Sequence, residues 1–181
     1  MADRIALFRR LLDLVAASAA SERTYLDLGS GHGKFALAAR RAGWNVIAVD
    51  GRTERFPDTD DIEWVRADVR EYEFPEVDCI GVLGLLYHLE FADQMKLLTQ
   101  CVGTPTIIDT HVASKVTTNV DGYDGYRFWE DRSAPTASLD NEYSFWPTRA
   151  SFHQMLSDVG FETSLELVPW YQDDRTFWLC V

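Results

Sequence analysis

An aspartate at position 27, glycines at 29, 31 and 33, and a second aspartate at 50 form the group of residues in this chain best suited to hold a ligand. Glycine lets the backbone turn sharply and lets a bound molecule approach where any Cβ would intrude. An acid at the tip of an apolar run can accept two hydrogen bonds from a ribose diol. The elements that must position these groups are legible around them. Tyr25, Leu26 and Leu28 form a short apolar run feeding the glycine loop. An Ala-rich helical pattern over 33–42 ends at Gly43, and a second apolar run, 44–49, closes on Asp50. Strand, glycine turn, helix, strand and acid make half of a nucleotide-binding α/β unit.

Spacing decides between two ligands. A dinucleotide fingerprint reads Gly-x-Gly-x-x-Gly, with the pyrophosphate at the helix N-terminus. Here the glycines alternate as Gly-x-Gly-x-Gly, and Asp27 stands two residues before the first of them. A carboxylate there repels a pyrophosphate and suits a cationic ligand end. The arrangement resembles the first motif of the class I S-adenosylmethionine (SAM) methyltransferases. That resemblance implies a loop, Asp27, Gly29, Ser30, Gly31 and Gly33, around the methionine part of SAM, and a ribose-binding acid at Asp50 followed by Gly51 and Arg52. It also implies a contact to the adenine amino group at Asp68, in Ala67-Asp68-Val69. The tail of the fourth strand, Val82-Leu83-Gly84-Leu85-Leu86-Tyr87-His88-Leu89, is similar to a stretch found in several small members of the family, which adds Leu83, Gly84 and Tyr87 to the cofactor contacts. The resemblance covers 24–110 and resumes at 143–161; S-adenosylhomocysteine would be the product.

The remaining elements follow in order. Apolar residues at Ile5, Phe8, Leu12 and Val15 predict an amphipathic helix over 3–20 with Asp3 as its N-cap. Strands are expected at 62–66, 79–83 and 106–110, helices at 91–101 and from Thr148 to Gly160, and two closing strands at 161–167 and 176–181 joined by a turn. Alternating strands and helices imply a parallel sheet, and the closing pair implies a hairpin. The methyltransferase resemblance implies the same fold class: a Rossmann-like, doubly wound α/β domain whose mostly parallel seven-stranded sheet has an antiparallel last strand. The segment 112–146 reads as irregular and too long for a simple connection.

Bulk properties narrow the partners. A length of 181 residues suits one domain over 1–181 with a real core. A net charge of −12 disfavours a nucleic-acid partner, because such binders usually carry a basic patch. The three cysteines include no Cys-x-x-Cys pair and read as buried free thiols in a reducing cytoplasm. With no signal-peptide pattern and no apolar run of membrane-spanning length, a cytoplasmic protein acting on a small molecule is expected.

Methyl transfer from a sulfonium is an in-line displacement, so the protein chiefly aligns the acceptor and, for a hydroxyl, removes its proton. Histidine suits the second task. Of the four histidines, His32 falls in the glycine loop and His153 on a solvated helix face. His88 and His111 follow the tips of neighbouring strands and are the candidate bases, with Glu130 third. The end of the fourth strand lacks the Asn/Asp-Pro-Pro of amine-methylating nucleobase enzymes, and no Pro-Cys nucleophile is present. An oxygen on a small or sugar-like acceptor follows as the expectation, with a noncatalytic SAM-binding protein, an RNA methyltransferase and an NAD-dependent oxidoreductase as rivals. The aromatics of 112–146, among them Tyr126, Trp129, Tyr143 and Trp146, read as a substrate lid hinged at Gly122 and Gly125. No metal-ligand spacing is found.

Overall fold

The computed structural model describes residues 4–17, 22–131, 133–134, 137–168 and 174–181. Asp3, the expected N-cap, and the turn at 169–173 lie outside the described residues. Helix α1 (Arg4–Ala16) buries Phe8, Leu11, Leu12 and Val15 at the predicted helical spacing. Strand β1 (Thr24–Leu28) runs parallel to β2 (Asn45–Asp50) on one side and to β4 (Cys79–Leu83) on the other. Because strand side chains alternate, Tyr25 joins the core under α1 and α2 (Lys34–Arg41), while Leu26 and Leu28 join the core on the opposite face. Phe8 packs its ring against Tyr25 at 5.5 Å and Phe35 at 5.2 Å. On the far face, α3 (Phe91–Cys101) and α4 (Arg149–Val159) supply Leu97, Leu98, Phe152 and Met155.

With β3 (Glu63–Arg66), β5 (Thr106–His111), β9 (Ser164–Leu167) and β10 (Arg175–Cys180), the seven-stranded sheet has the order β3-β2-β1-β4-β5-β10-β9. Strand β10 is antiparallel to both neighbours, as expected of the last strand. The chain leaves β1 outward through β2 and β3 and returns to β4, so the order reverses between β1 and β4. A crevice therefore opens beyond the carboxyl ends of those strands. The start of β10 lies at that same end, opposite His111 at the tip of β5. Thr148 caps α4 as predicted, its Oγ1 accepting the Ser151 N–H at 3.1 Å, and Gly160 ends the helix with left-handed φ.

The segment 112–146 departs from its reading as irregular. It carries β6 (Thr118–Val120), β7 (Tyr123–Trp129) and most of β8 (Tyr143–Pro147), paired into an antiparallel three-stranded sheet. Strands β6 and β7 are joined by Asp121-Gly122, both with positive φ (51° and 95°), the two-residue hairpin turn that this dipeptide favours. Phe145 and Tyr123 anchor this sheet to the main core through Phe91. Cys79, Cys101 and Cys180 are free and buried, and burial pushes the Cys101 and Cys180 thiols up to about 12. Among the described residues, no helix is long and apolar enough to cross a membrane.

Candidate active site

The crevice at the β1/β4 switch holds a cavity of about 250 Å³. Its floor is the turn after β1. Gly29 and Gly33 have φ of 67° and 66°; a Cβ on the first would lie 2.8 Å from Leu85 Cδ1 and on the second 2.5 Å from the Trp64 ring. Only glycine satisfies both the backbone and the packing there. Gly31 faces open space on the cavity side, leaving a cradle that a side chain would occupy.

Asp50 lines this cradle at the tip of β2. Its carboxylate accepts the Gly31 N–H and the Arg52 N–H, each at 2.8 Å, which locks the loop to the strand. Asp27 lies beneath, fully enclosed. Its Oδ1 accepts the Tyr25 hydroxyl at 3.3 Å, and the Ala36 backbone N–H also favours its charged form. Burial pushes its pKa up to about 7. Ser30 Oγ, at the cavity wall, is buried without a partner. An orphaned hydroxyl beside a glycine cradle is what a polar ligand end would satisfy.

Asp68 and Val69 line the side of the cavity beyond β3, where the Arg70 guanidinium grips the Asp68 carboxylate, with Nε at 2.9 and 3.0 Å from its two oxygens. That hydrogen bonding holds Asp68 below its ordinary pKa. The reading of Asp68 as a ready acceptor for an adenine amino group meets a carboxylate already engaged by its neighbour. Leu83, Gly84 and Tyr87 line the opposite side, with Gly51 and Arg52 at the rim.

At the β4 and β5 tips the two candidate histidines differ. His88 lines the cavity, and its Nδ1 lies 3.0 Å from Glu130 Oε1. Glu130 is only 2% exposed. Burial works against its ionisation, yet the hydrogen bonds from His88 and from the Ser138 N–H outweigh it and hold Glu130 below its ordinary pKa. A buried carboxylate on Nδ1 fixes the tautomer, which leaves Nε2 as the imidazole's basic nitrogen. His111 is spent on structure. Its Nδ1 donates to the Asp174 carbonyl at 3.2 Å and its Nε2 accepts from Arg175 at 3.3 Å. Its ring stacks on Trp146 at 4.8 Å, and burial with the Arg175 charge lowers its pKa. His153 is not simply solvated; it pairs with Glu166 at 3.4 Å.

The proposed lid aromatics separate as well. Trp146 is sandwiched between His111 and Phe128 (4.8 and 4.5 Å) and donates its indole N–H to the Tyr87 carbonyl at 2.8 Å. Both ring faces are therefore covered, which makes it a strut for the 86–88 turn. Tyr126 lies at the edge of that stack. Trp129 and Tyr143 meet edge to face on the outer surface, where Arg127 covers the Tyr143 ring. None of the four lines the main cavity.

Sequence reasoning missed two kinds of residue. Arg4 and Arg175 both pair with the fully buried Asp109 and reach the cavity over Gly84, so two cations share one acid at its wall. Ala137, Ser138, Leu139 and Asn141, from the β7–β8 loop, form the wall facing Gly51. No local motif marks either group. Among the described residues no cluster of three or more His, Cys, Asp or Glu is placed to hold a metal.

A family model described as a methyltransferase domain matches residues 2–165. The chain belongs to that family. It is a SAM-dependent methyltransferase, and SAM is its cofactor. No curated protein matches it in sequence. Its fold is shared with solved structures of low identity. The N-terminal domain of EvdMO1 with S-adenosylhomocysteine bound is 22% identical, with a TM-score of 0.79 over 99% of this chain and 80% of that one. A Burkholderia thailandensis 1,6-didemethyltoxoflavin N1-methyltransferase is 14% identical, TM-score 0.66, over 98% and 78%. The glycopeptide N-methyltransferase MtfA complexed with SAM is 13% identical, TM-score 0.67, over 96% and 93%. The methyltransferase's own residues fit the cofactor. The partnerless Ser30 hydroxyl, the open cradle at Gly31 and the inward carboxylate of Asp50 line the cavity and offer polar groups to an amino acid joined to a nucleoside, whereas the buried Asp27 does not line it.

Proposed function

We propose that this methyltransferase alkylates an oxygen of a small, sugar-like acceptor, with His88 as general base and Glu130 as its positioning partner. The observation that carries the reading is the His88–Glu130 pair at 3.0 Å on the wall of the cofactor cavity. SAM supplies an activated methyl group when bound; the glycine loop, with Asp27 beneath it, would hold its amino-acid end, Asp50 its ribose, and Arg4 with Arg175 a carboxylate. The protein's task is then to bring a hydroxyl into line and take its proton. His88 Nε2 accepts that proton, and the buried Glu130 carboxylate stabilises the resulting imidazolium.

Several features support oxygen over nitrogen. A neutral amine needs no base as strong as an oriented imidazole, and the tip of β4 offers Leu83-Gly84-Leu85 in place of amine-binding acids. The EvdMO1 N-terminal domain was also crystallised in the presence of S-adenosylhomocysteine and D-fucose. A small acceptor suits a cavity of about 250 Å³, and an acidic chain with free thiols suits the cytoplasm.

The test is transfer of labelled methyl from SAM to a panel of deoxysugars, hydroxy acids and primary amines. Turnover on hydroxyl acceptors that collapses in His88→Ala, with S-adenosylhomocysteine still bound and weakened no more than several-fold, is the expected result. Activity confined to amines, or insensitive to His88, would overturn it.

A further inference from the structure

The loop between β7 and β8 is tied to both ends of the site. Its neck is closed by Glu130 N–H donating to the Glu142 carbonyl at 2.9 Å. Its tip, 137–141, walls the cavity opposite the glycine cradle. Attachments at its described residues hold it. The Arg52 guanidinium donates to the carbonyls of Ala137 at 3.0 Å and Ser138 at 2.8 Å. Arg70 pairs with Asp140 at 2.9 Å. Leu139 rests on Gly51, where a Cβ would come within 3.0 Å of its side chain.

The attachments connect. The Arg52 N–H bonds Asp50, the expected ribose acid. Its side chain holds Ser138, whose own N–H donates to Glu130 Oε2 at 3.1 Å. Glu130 Oε1 takes the His88 ring. One carboxylate thus serves the cavity-wall loop with one oxygen and the imidazole with the other. A guanidinium forked onto two carbonyls is a directional clamp that one ammonium cannot reproduce in full.

We propose that Arg52 is a positioning residue: by clamping Ala137 and Ser138 it fixes the loop wall and, through Ser138 and Glu130, the orientation of His88, so that occupation of the Asp50 side of the cavity and alignment of the base are coupled. This rests on the reading of His88 as base. Coupling of this kind is reciprocal in binding free energy. A ligand that tightens the Asp50–Arg52 end tightens the His88–Glu130 bond, and loosening Glu130 weakens that ligand although Glu130 does not line the cavity.

The experiment follows the His88 ring N–H by NMR in histidine-labelled protein, with and without S-adenosylhomocysteine as the probe. His88→Phe assigns the signal. In wild type the Nδ1 proton is protected from exchange and S-adenosylhomocysteine protects it further. In Arg52→Ala its exchange accelerates at least about tenfold, the consequence of losing two charge-assisted hydrogen bonds upstream. Arg52→Lys recovers part of the protection, and Glu130→Gln both removes the protection and weakens S-adenosylhomocysteine several-fold. A residue that merely braces the loop would leave the ring proton unmoved. If Arg52→Ala keeps wild-type protection while Glu130→Gln loses it, the coupling is overturned and the base assignment stands. If instead His88→Ala methylates at the wild-type rate, the base assignment falls whatever the NMR shows.

Discussion

The floor and the wall of this cavity are built by different rules. The floor, from β1 through Asp50, is largely local: the hydrogen bonds that close its loop join residues fewer than about twenty positions apart, as in the Asp50–Gly31 bond, although Leu85 on Gly29 and Trp64 on Gly33 come from farther off. Its glycines obey backbone geometry that any copy of the motif must obey. The wall is assembled from afar. His88 meets Glu130 across 42 positions, Arg52 meets Ser138 across 86, and Arg4 meets Asp109 across 105. The glycine loop proposed to cradle the cofactor is thus written into one short stretch, whereas the proposed base and the remaining cavity walls depend on residues that packing brings together from afar.

The comparison can be broken by substitutions that act on the wrong side of it. The largest effect is expected at His88. Changing it to Ala should lower kcat by roughly 10²–10⁴, the usual worth of a positioned base, while isothermal titration finds S-adenosylhomocysteine weakened only several-fold, the share carried by the coupling to Glu130. A comparable loss of cofactor affinity would erase the distinction between floor and wall.

Asp27 tests the floor through pH. In the folded ligand-free protein its carboxyl keeps its proton up to about pH 7, against an ordinary value of 3.8. Its contribution to stability is therefore complete below pH 4 and is lost as pH rises through 7. At about 1.4 kcal/mol per pKa unit, this amounts to a few kcal/mol. Asp27→Asn should remove that fall, so that in thermal melts it overtakes the wild type at neutral pH and above. Parallel pH profiles for the two proteins would contradict the burial argument.

Asp50→Ala should weaken S-adenosylhomocysteine by about 10- to 100-fold, since charge-assisted hydrogen bonds are each worth roughly 1.5–3 kcal/mol. The smallest effect sharpens the wall. Trp129 is 55% exposed and lies outside the main cavity. Its replacement by Ala should change stability by no more than about 0.5 kcal/mol, as surface substitutions usually do, and leave kcat and KM within twofold. A large rise in KM would return Trp129 to the acceptor site.

Much of this molecule was determined by the sequence alone. Strand–helix alternation gave the parallel sheet, the closing strand pair and the family resemblance its antiparallel last strand, and the alternating glycines with the acid closing the next run the ligand cradle. These features are local, and each needs only backbone sterics and hydrophobic period to be read. Asp121-Gly122 between Val120 and Tyr123 is a hairpin dipeptide legible in the sequence, and it turns a segment that otherwise reads as irregular into β6 and β7. Tertiary structure alone decided the rest. It gave two histidines that look alike in sequence different surroundings, a buried carboxylate for His88 and Asp174 and Arg175 for the two His111 nitrogens. It covered both faces of Trp146, sent Trp129 outward, and brought Arg4 and Arg175 together on Asp109. The physical reason is that a side chain's protonation, orientation and exposure depend on neighbours brought close by packing, and no spacing along the chain records who those neighbours are.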